Sequence, residues 1–308
     1  MILLRQMLVF FLIILVGYIC RRIGFLNDTA SKSISAIVVN VANPMLILSS
    51  AMSGERISDN RVLLHAFLAA ILIHTVMILF SRFVPKLLGV KPENYGIYRV
   101  MLIFSNIGFV GMPVIRASYG EVAVLYAAVF TLPYNILIYT YGISEIRGEK
   151  FDFSGSSKEV IKKILNVGVI SAILGIGIYL LGVQTPSFIK ETVDYLSNLT
   201  APLSMMVIGD SLAKMDIRKL FTNRELLIFS AIKLLILPIL CTFLVLMVPI
   251  DPILKGVCMI MMAVPVGSMT AMMAQQYDSN YELASQGVAL TTLLSVLTIP
   301  VVSLVTGI

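Results

Sequence analysis

Apolar runs of about twenty residues follow one another through almost the whole chain, parted only by short clusters of charge. A run of that length is what an α-helix needs to cross about 30 Å of hydrocarbon. No soluble fold shelters so many of them. Of 308 residues, 58% are apolar and 13% charged, where a soluble chain carries roughly 25% charge, and the mean hydropathy is +0.95. The runs predict an all-α polytopic membrane protein with ten transmembrane helices, at 2–20, 33–52, 62–81, 97–116, 122–143, 164–183, 190–213, 225–248, 254–277 and 283–306. Ten helices of about 20 residues use about 200, leaving short loops and almost no extramembrane domain. That excludes a nucleic-acid-binding protein in spite of a pI near 9.2. It also excludes an ATP-driven pump, because no segment is long enough to hold a nucleotide site.

Basic residues set the expected orientation. One set of alternate loops carries 16 of the 23 lysines and arginines, from Arg21 and Arg22 to Lys219 and Arg224. The opposite set holds Arg5, Arg56, Arg61, Arg116, Lys190 and Lys255, and Lys233 lies inside a span. The positive-inside rule then predicts a multi-pass protein of the cytoplasmic membrane with both termini outside. The turn from Asp278 to Glu282 has no basic residue and does not follow the rule. The N-terminal apolar run lacks a small-residue cleavage site and reads as a retained first span. Cys20, Cys241 and Cys258 are isolated and form no metal spacing with His65 or His74, so they read as packing residues, and no cofactor or metal is expected.

The polar stretch Glu145–Lys163 divides the chain into residues 1–143, a cytoplasmic linker over 144–163, and residues 164–308, with five spans in each half. Five is odd, so a duplicated half sits upside down relative to its twin. Asn40-Val-Ala-Asn43-Pro44-Met-Leu aligns with Asn198-Leu-Thr-Ala201-Pro202-Leu-Ser at an offset of 158. Pro113 and Pro265 are the next counterparts, somewhat closer together because the loop before span 4 is longer. Inverted repeats are a hallmark of secondary transporters.

Span 4 reads Phe104-Ser-Asn106-Ile-Gly108-Phe-Val-Gly111-Met-Pro113, and span 9 reads Ala263-Val-Pro265-Val-Gly267-Ser268-Met-Thr270. Glycine and proline so close together break a helix. Each unpaired backbone group costs several kcal/mol in hydrocarbon, so such a break survives only where protein or a wet cavity surrounds it. The plain alternative is two packing kinks. Two half-helices starting near Pro113 and Pro265 would instead bring two positive dipole ends to the midplane, which suits a carboxylate.

In these breaks, in Asn43-Pro44, in TAPLSMMVIGDSLA of span 7 and in AVPVGS, AQQY and LTIP of the last two spans, the chain resembles the auxin efflux carrier family along its full length. The resemblance implies two inverted five-helix repeats, an architecture shared with bile-acid/sodium symporters. It implies a scaffold of spans 1, 2, 6 and 7, an elevator-type transport unit of spans 3–5 and 8–10, and broken helices 4 and 9 crossed at Pro113 and Pro265. It also implies transport of a small organic anion, an auxin-like acid or a carboxylate such as malate or malonate. The long hydrophilic central loop of the plant members is replaced here by about 19 residues. The apolar scaffold surface suggests a homodimer in the lipid bilayer.

Polar residues within the spans are the candidate site. Asn43, Ser49, Asn106, Asn135, Ser268 and Thr270 form the expected substrate-binding set, with Pro113 and Pro265 at the breaks. The family's binding region, between spans 2, 4, 5 and 9, singles out Asn43, Asn106 and Asn135. Gln275, Gln276 and Tyr277 suggest a gate. Lys233 lies nine residues into span 8, about 13 Å from its end, too deep to reach water and in need of a partner or a function. Asp210 is the one acid well inside a predicted span, so three readings stand: an ion pair with Asp210, a role in substrate charge or coupling, or a span boundary that lies elsewhere. His74 reads as a packing histidine ahead of a proton carrier. Spans 4 and 9 carry no acid near their prolines, which favours sodium-independent transport and leaves Lys233 as the titratable candidate for coupling. A sodium-coupled symporter is the main alternative. An intramembrane enzyme would require a Ser/His, paired-Asp or metal constellation, and a channel would show flux without saturation.

Overall fold

Within hydrocarbon a helix is the one local structure that pairs its own backbone groups, and the described residues follow that rule. The computed structural model describes residues 2–53, 61–148, 165–216 and 220–308, which are helical apart from turns and one isolated bridge. Most of the expected linker lies outside the described residues, as do Arg56, Arg218 and Lys219. In chain order the helices are α1 (Ile2–Arg22), α2 (Asp28–Met52), α3 (Arg61–Ser81), α4 (Tyr95–Ile103), α5 (Met112–Tyr119) and α6 (Glu121–Arg147). They continue with α7 (Val167–Leu181), α8 (Ser187–Ser197), α9 (Thr200–Ala213), α10 (Arg224–Leu246), α11 (Pro252–Ala263), α12 (Ser268–Gln276) and α13 (Tyr281–Thr306).

Among the described residues six segments are long and apolar enough to cross a membrane: those of α1, α2, α3, α6, α10 and α13. The protein is a polytopic membrane protein. Leucines such as Leu8, Leu12, Leu68, Leu72 and Leu244 are exposed on the outer helices, as lipid contact requires. The interior is built on α6 and α11, where Val122–Phe130 and Val257–Ala263 are buried without a break.

Proline shapes the long helices from within. Its ring clashes with the carbonyl four residues earlier. The turns Val38–Ala42, Ile107–Gly111 and Ile232–Ile236 are each widened into a π turn ending two residues before Pro44, Pro113 and Pro238. Gly120 alone joins α5 to α6, at φ 82°, a backbone conformation that favours glycine.

Helices α1 and α9 pack at backbone contact. A Cβ on Gly17 would overlap Met206, and a Cβ on Gly209 would overlap the Ile14 carbonyl and the Tyr18 amide. At one end of this pair, fully buried Asp210 lies 2.7 Å from Lys214 Nζ and 3.6 Å from Arg21, and Asp28 joins both cations at 2.8 and 3.1 Å. Burial pushes the Lys214 ammonium down, but its bonds to Asp210 and Asp28 outweigh that and hold it above the ordinary lysine value. The reading that pairs Asp210 with Lys233 is therefore corrected. Asp210 is held by the lysine one helical turn onward and by the end of α1.

Candidate functional site: a crossing of two broken helices

Span 4 stops at Phe104, whose backbone turns extended, and span 9 does the same at Val264. The loose groups of each break find the other. Asn106 N donates to the Pro265 carbonyl at 2.8 Å and Gly267 N to the Phe104 carbonyl at 2.9 Å, pairing Ser105 antiparallel with Val266. Val266 N donates to Thr291 Oγ1 of α13 at 3.1 Å. A Cβ on Gly267 would sit 3.1 Å from the carbonyls of Phe104 and Ser105, so the close approach needs glycine. Beyond the crossing, Asn106 Oδ1 accepts from Phe109 N at 3.1 Å and starts the π turn that leads into α5. Ser268 opens α12. Two short helices thus begin at one point, both with their first amide groups toward it.

Lys233 arrives at that point from α10. It is fully buried, and its Nζ donates to Ser105 Oγ at 2.6 Å and to the Met262 carbonyl at 3.4 Å. Beside Ser105 lies a cavity of about 20 Å³ lined by His74, Ser105, Tyr134, Phe130 and Met262. His74 Nδ1 lies 2.7 Å from the Ala70 carbonyl, and the Tyr134 ring packs edge-on against both His74 and Phe104.

A larger cavity of about 330 Å³ opens on the far side of Pro113, between α1, α2, α5 and the α8–α9 junction. Arg116 spans it. Its Nε donates to Glu121 Oε1 at 2.7 Å, and its Nη1 to Ser197 Oγ at 3.2 Å and Asn198 Oδ1 at 3.1 Å.

A family model described as "Membrane transport protein" matches residues 2–303. The chain belongs to the auxin efflux carrier family. An uncharacterized transporter of Methanocaldococcus jannaschii is 27% identical over 301 residues, 95% of each chain. A protein of Rhizobium meliloti named "Putative malonate transporter" is 22% identical over 298 residues, 94% of this chain and 91% of its own. The lysosomal cholesterol signaling protein of Mus musculus is 25% identical over 92% of this chain, which spans 35% of that protein. The function is transport rather than enzymatic catalysis.

Within this carrier the expected site residues divide. Asn43 of α2 faces the span-4 break, because a Cβ on Gly108 would lie 2.9 Å from Asn43 Nδ2. Asn106, Pro265, Ser268 and Lys233 gather at the crossing, and His74 joins them through the small cavity. The expected crossing at Pro113 is corrected, because the chains meet at Ser105 and Val266 and Pro113 lies in the first turn of α5, lining the larger cavity. Buried Asn43 Oδ1, Thr200 Oγ1, Ser204 Oγ and Thr270 Oγ1 have no hydrogen-bond partner among the described residues. Ser49 and Asn135 go elsewhere. Ser49 donates to Asp194 of α8 at 2.5 Å, and Asn135 donates to the Thr131 carbonyl and accepts from Asn166 at 2.6 Å. Tyr277 lies under the Arg147 guanidinium, 4.5 Å from the ring centre, while Gln275 and Gln276 are exposed. Sequence reasoning missed Ser105, Arg116, Thr200 and Ser204. The signal for Ser105 was present, since it sits inside the break. Arg116 looked like one more loop charge.

Proposed function

We propose that this carrier moves a small organic anion, such as a mono- or dicarboxylate or an auxin-like acid, across the cytoplasmic membrane by secondary transport. The observation that carries the reading is the Lys233 ammonium bonded to Ser105 where α5 and α12 begin. A fixed cation and two helix N-termini in a low-dielectric site favour a carboxylate. Spans 4 and 9 carry no acid near Pro113 or Pro265 to replace the water of a sodium ion, so in this reading transport is sodium-independent and not of the bile-acid symporter type. The name of the Rhizobium meliloti relative is consistent with an anionic substrate.

In this reading ten spans form two inverted five-helix repeats, with both termini outside. His74 and Lys233, Thr131 and Thr291, and Ser105 and Val266 are separated by almost the same sequence distance as Pro44 and Pro202, which supports the duplication. Spans 3–5 and 8–10 slide as an elevator against spans 1, 2, 6 and 7, and the scaffold pairs with a second copy. Arg116 is then a contact between the moving unit and the scaffold.

Two measurements test this. Purified protein in liposomes is expected to take up radiolabelled malonate or another acid of a carboxylate panel saturably, at the same rate when choline replaces sodium. No saturable uptake of any acid by folded protein overturns the substrate class, and a sodium requirement overturns the coupling. Arg116→Gln removes charge-assisted bonds of about 1.5–3 kcal/mol each. The population with α5 resting on α8 should fall at least about tenfold. Spin–spin distances between labels at exposed Ala117 and Tyr195 report it, and an unchanged distribution refutes the role given to Arg116.

A further inference from the structure

We propose that His74 is a second resting place for the proton of Lys233, reached through Ser105 and one water held in the cavity between them; the inference rests on the reading of Lys233 as the charge at a transport crossing. Three geometric facts carry it.

Ser105 Oγ accepts from the Lys233 ammonium at 2.6 Å. A hydroxyl has one proton of its own to donate, and the cavity that Ser105 lines is where that proton can point. His74 lines the same cavity, and its Nδ1 stands 2.7 Å from the Ala70 carbonyl oxygen. Two acceptors do not approach that closely, so Nδ1 bears the hydrogen and neutral His74 keeps its lone pair on Nε2. The space between, about 20 Å³, suits one water, which needs about 10–15 Å³ and two to four polar partners. Ser105, His74 and Tyr134 supply them.

The transfer balances without any other reactant. A proton leaves Lys233 Nζ for Ser105 Oγ as the Ser105 hydroxyl proton passes to the water and a water proton passes to His74 Nε2. Lys233 ends as a neutral amine and His74 as an imidazolium, with the total charge unchanged. An anion at the crossing draws the proton to Lys233. An empty crossing releases it toward His74, away from the helix N-termini. The titratable groups around the path are His74 of α3, Tyr134 of α6, and Lys233 and Cys241 of α10, while α4 and α11 turn Ile103, Met261 and Met262 to it. His74 and Lys233 occupy matching places in the two halves, so each half contributes one base.

The chain has two histidines, so His65→Gln leaves His74 as a lone reporter for imidazole ¹⁵N NMR in nanodiscs without substrate. At alkaline pH, above the titration of the pair, the expected spectrum shows a bare Nε2 with a cross-peak to bound water, and the cross-peak is lost in Ser105→Ala. Sites that share a proton titrate in macroscopic steps belonging to the pair. His74 is therefore expected to titrate in two steps, collapsing to one when Lys233→Met is added. Absence of a water cross-peak in the parent, or a single-step curve that superimposes with and without Lys233, overturns the proposal. Neither readout depends on uptake, so a failed carboxylate assay and a failed relay are told apart.

Discussion

Gly209→Leu is expected to abolish recovery of monodisperse protein, or to lower its melting midpoint in detergent by roughly 6–12 °C, from at least about 3 kcal/mol of destabilisation. The side chain would overlap the backbone of α1 at Ile14, Gly17 and Tyr18, and backbone cannot step aside as a flexible side chain can. Between helices in lipid, close packing replaces the hydrophobic effect as the source of association, so parting α1 from α9 removes what joins them. Met7, Phe10 and Ile14 of α1 and Met205 and Leu212 of α9 are buried in the core that this contact helps to close. Gly177→Ala is the control, since nothing lies within 4 Å of its added Cβ, and its melt should match the wild type. A Gly209→Leu protein that melts with the wild type would show that the two helices can separate without loss.

Lys233→Met is expected to leave the fold intact and to cut carboxylate uptake about tenfold to hundredfold. Replacing a buried charge with an apolar side chain of similar volume is often neutral for stability. The bond to Ser105 and the charge beside the helix N-termini disappear together, a loss of about 1.5–3 kcal/mol for a charge-assisted contact. The pH dependence of uptake should flatten in the same variant. Asp210→Asn should leave that dependence as it is, because Asp210 belongs to the Arg21, Asp28 and Lys214 cluster. Uptake by Lys233→Met at the wild-type rate and with the wild-type pH profile would make Lys233 a structural residue only.

Much of the carrier was legible in its residues. The apolar runs marked a polytopic membrane protein, and Pro265 and Gly267 marked the span-9 break, while the span-4 break falls at residues 104–106, just before the glycines and Pro113 that pointed to it. Asn106 caps the turn that follows the span-4 break, and Asn43 lies against Gly108 of that turn. The partner of Lys233 was not legible. Ser105 lies 128 residues away, while Asp210 was nearer in sequence and opposite in charge. The competing partner of Asp210 was visible in Lys214, one helical turn onward. Ser49 and Asn135 have the composition of site residues, but Asp194 and Asn166 use their hydrogen bonds first.

Polarity and backbone freedom are local properties, so the sequence alone determined a polytopic membrane protein and the segments in which two of its helices stop. Which side chains meet depends on the rotation of each helix about its own axis. A segment apolar all round, such as α6 or α10, carries no stripe to declare that rotation. Only the tertiary structure decided that the break after Phe104 is closed by hydrogen bonds with the break after Val264, that α10 turns Lys233 toward Ser105, and that α3 brings His74 to the same cavity. The deciding force is the cost of unpaired polar groups away from water. Each break, and Lys233, had to find a partner, and those partners lay on other helices.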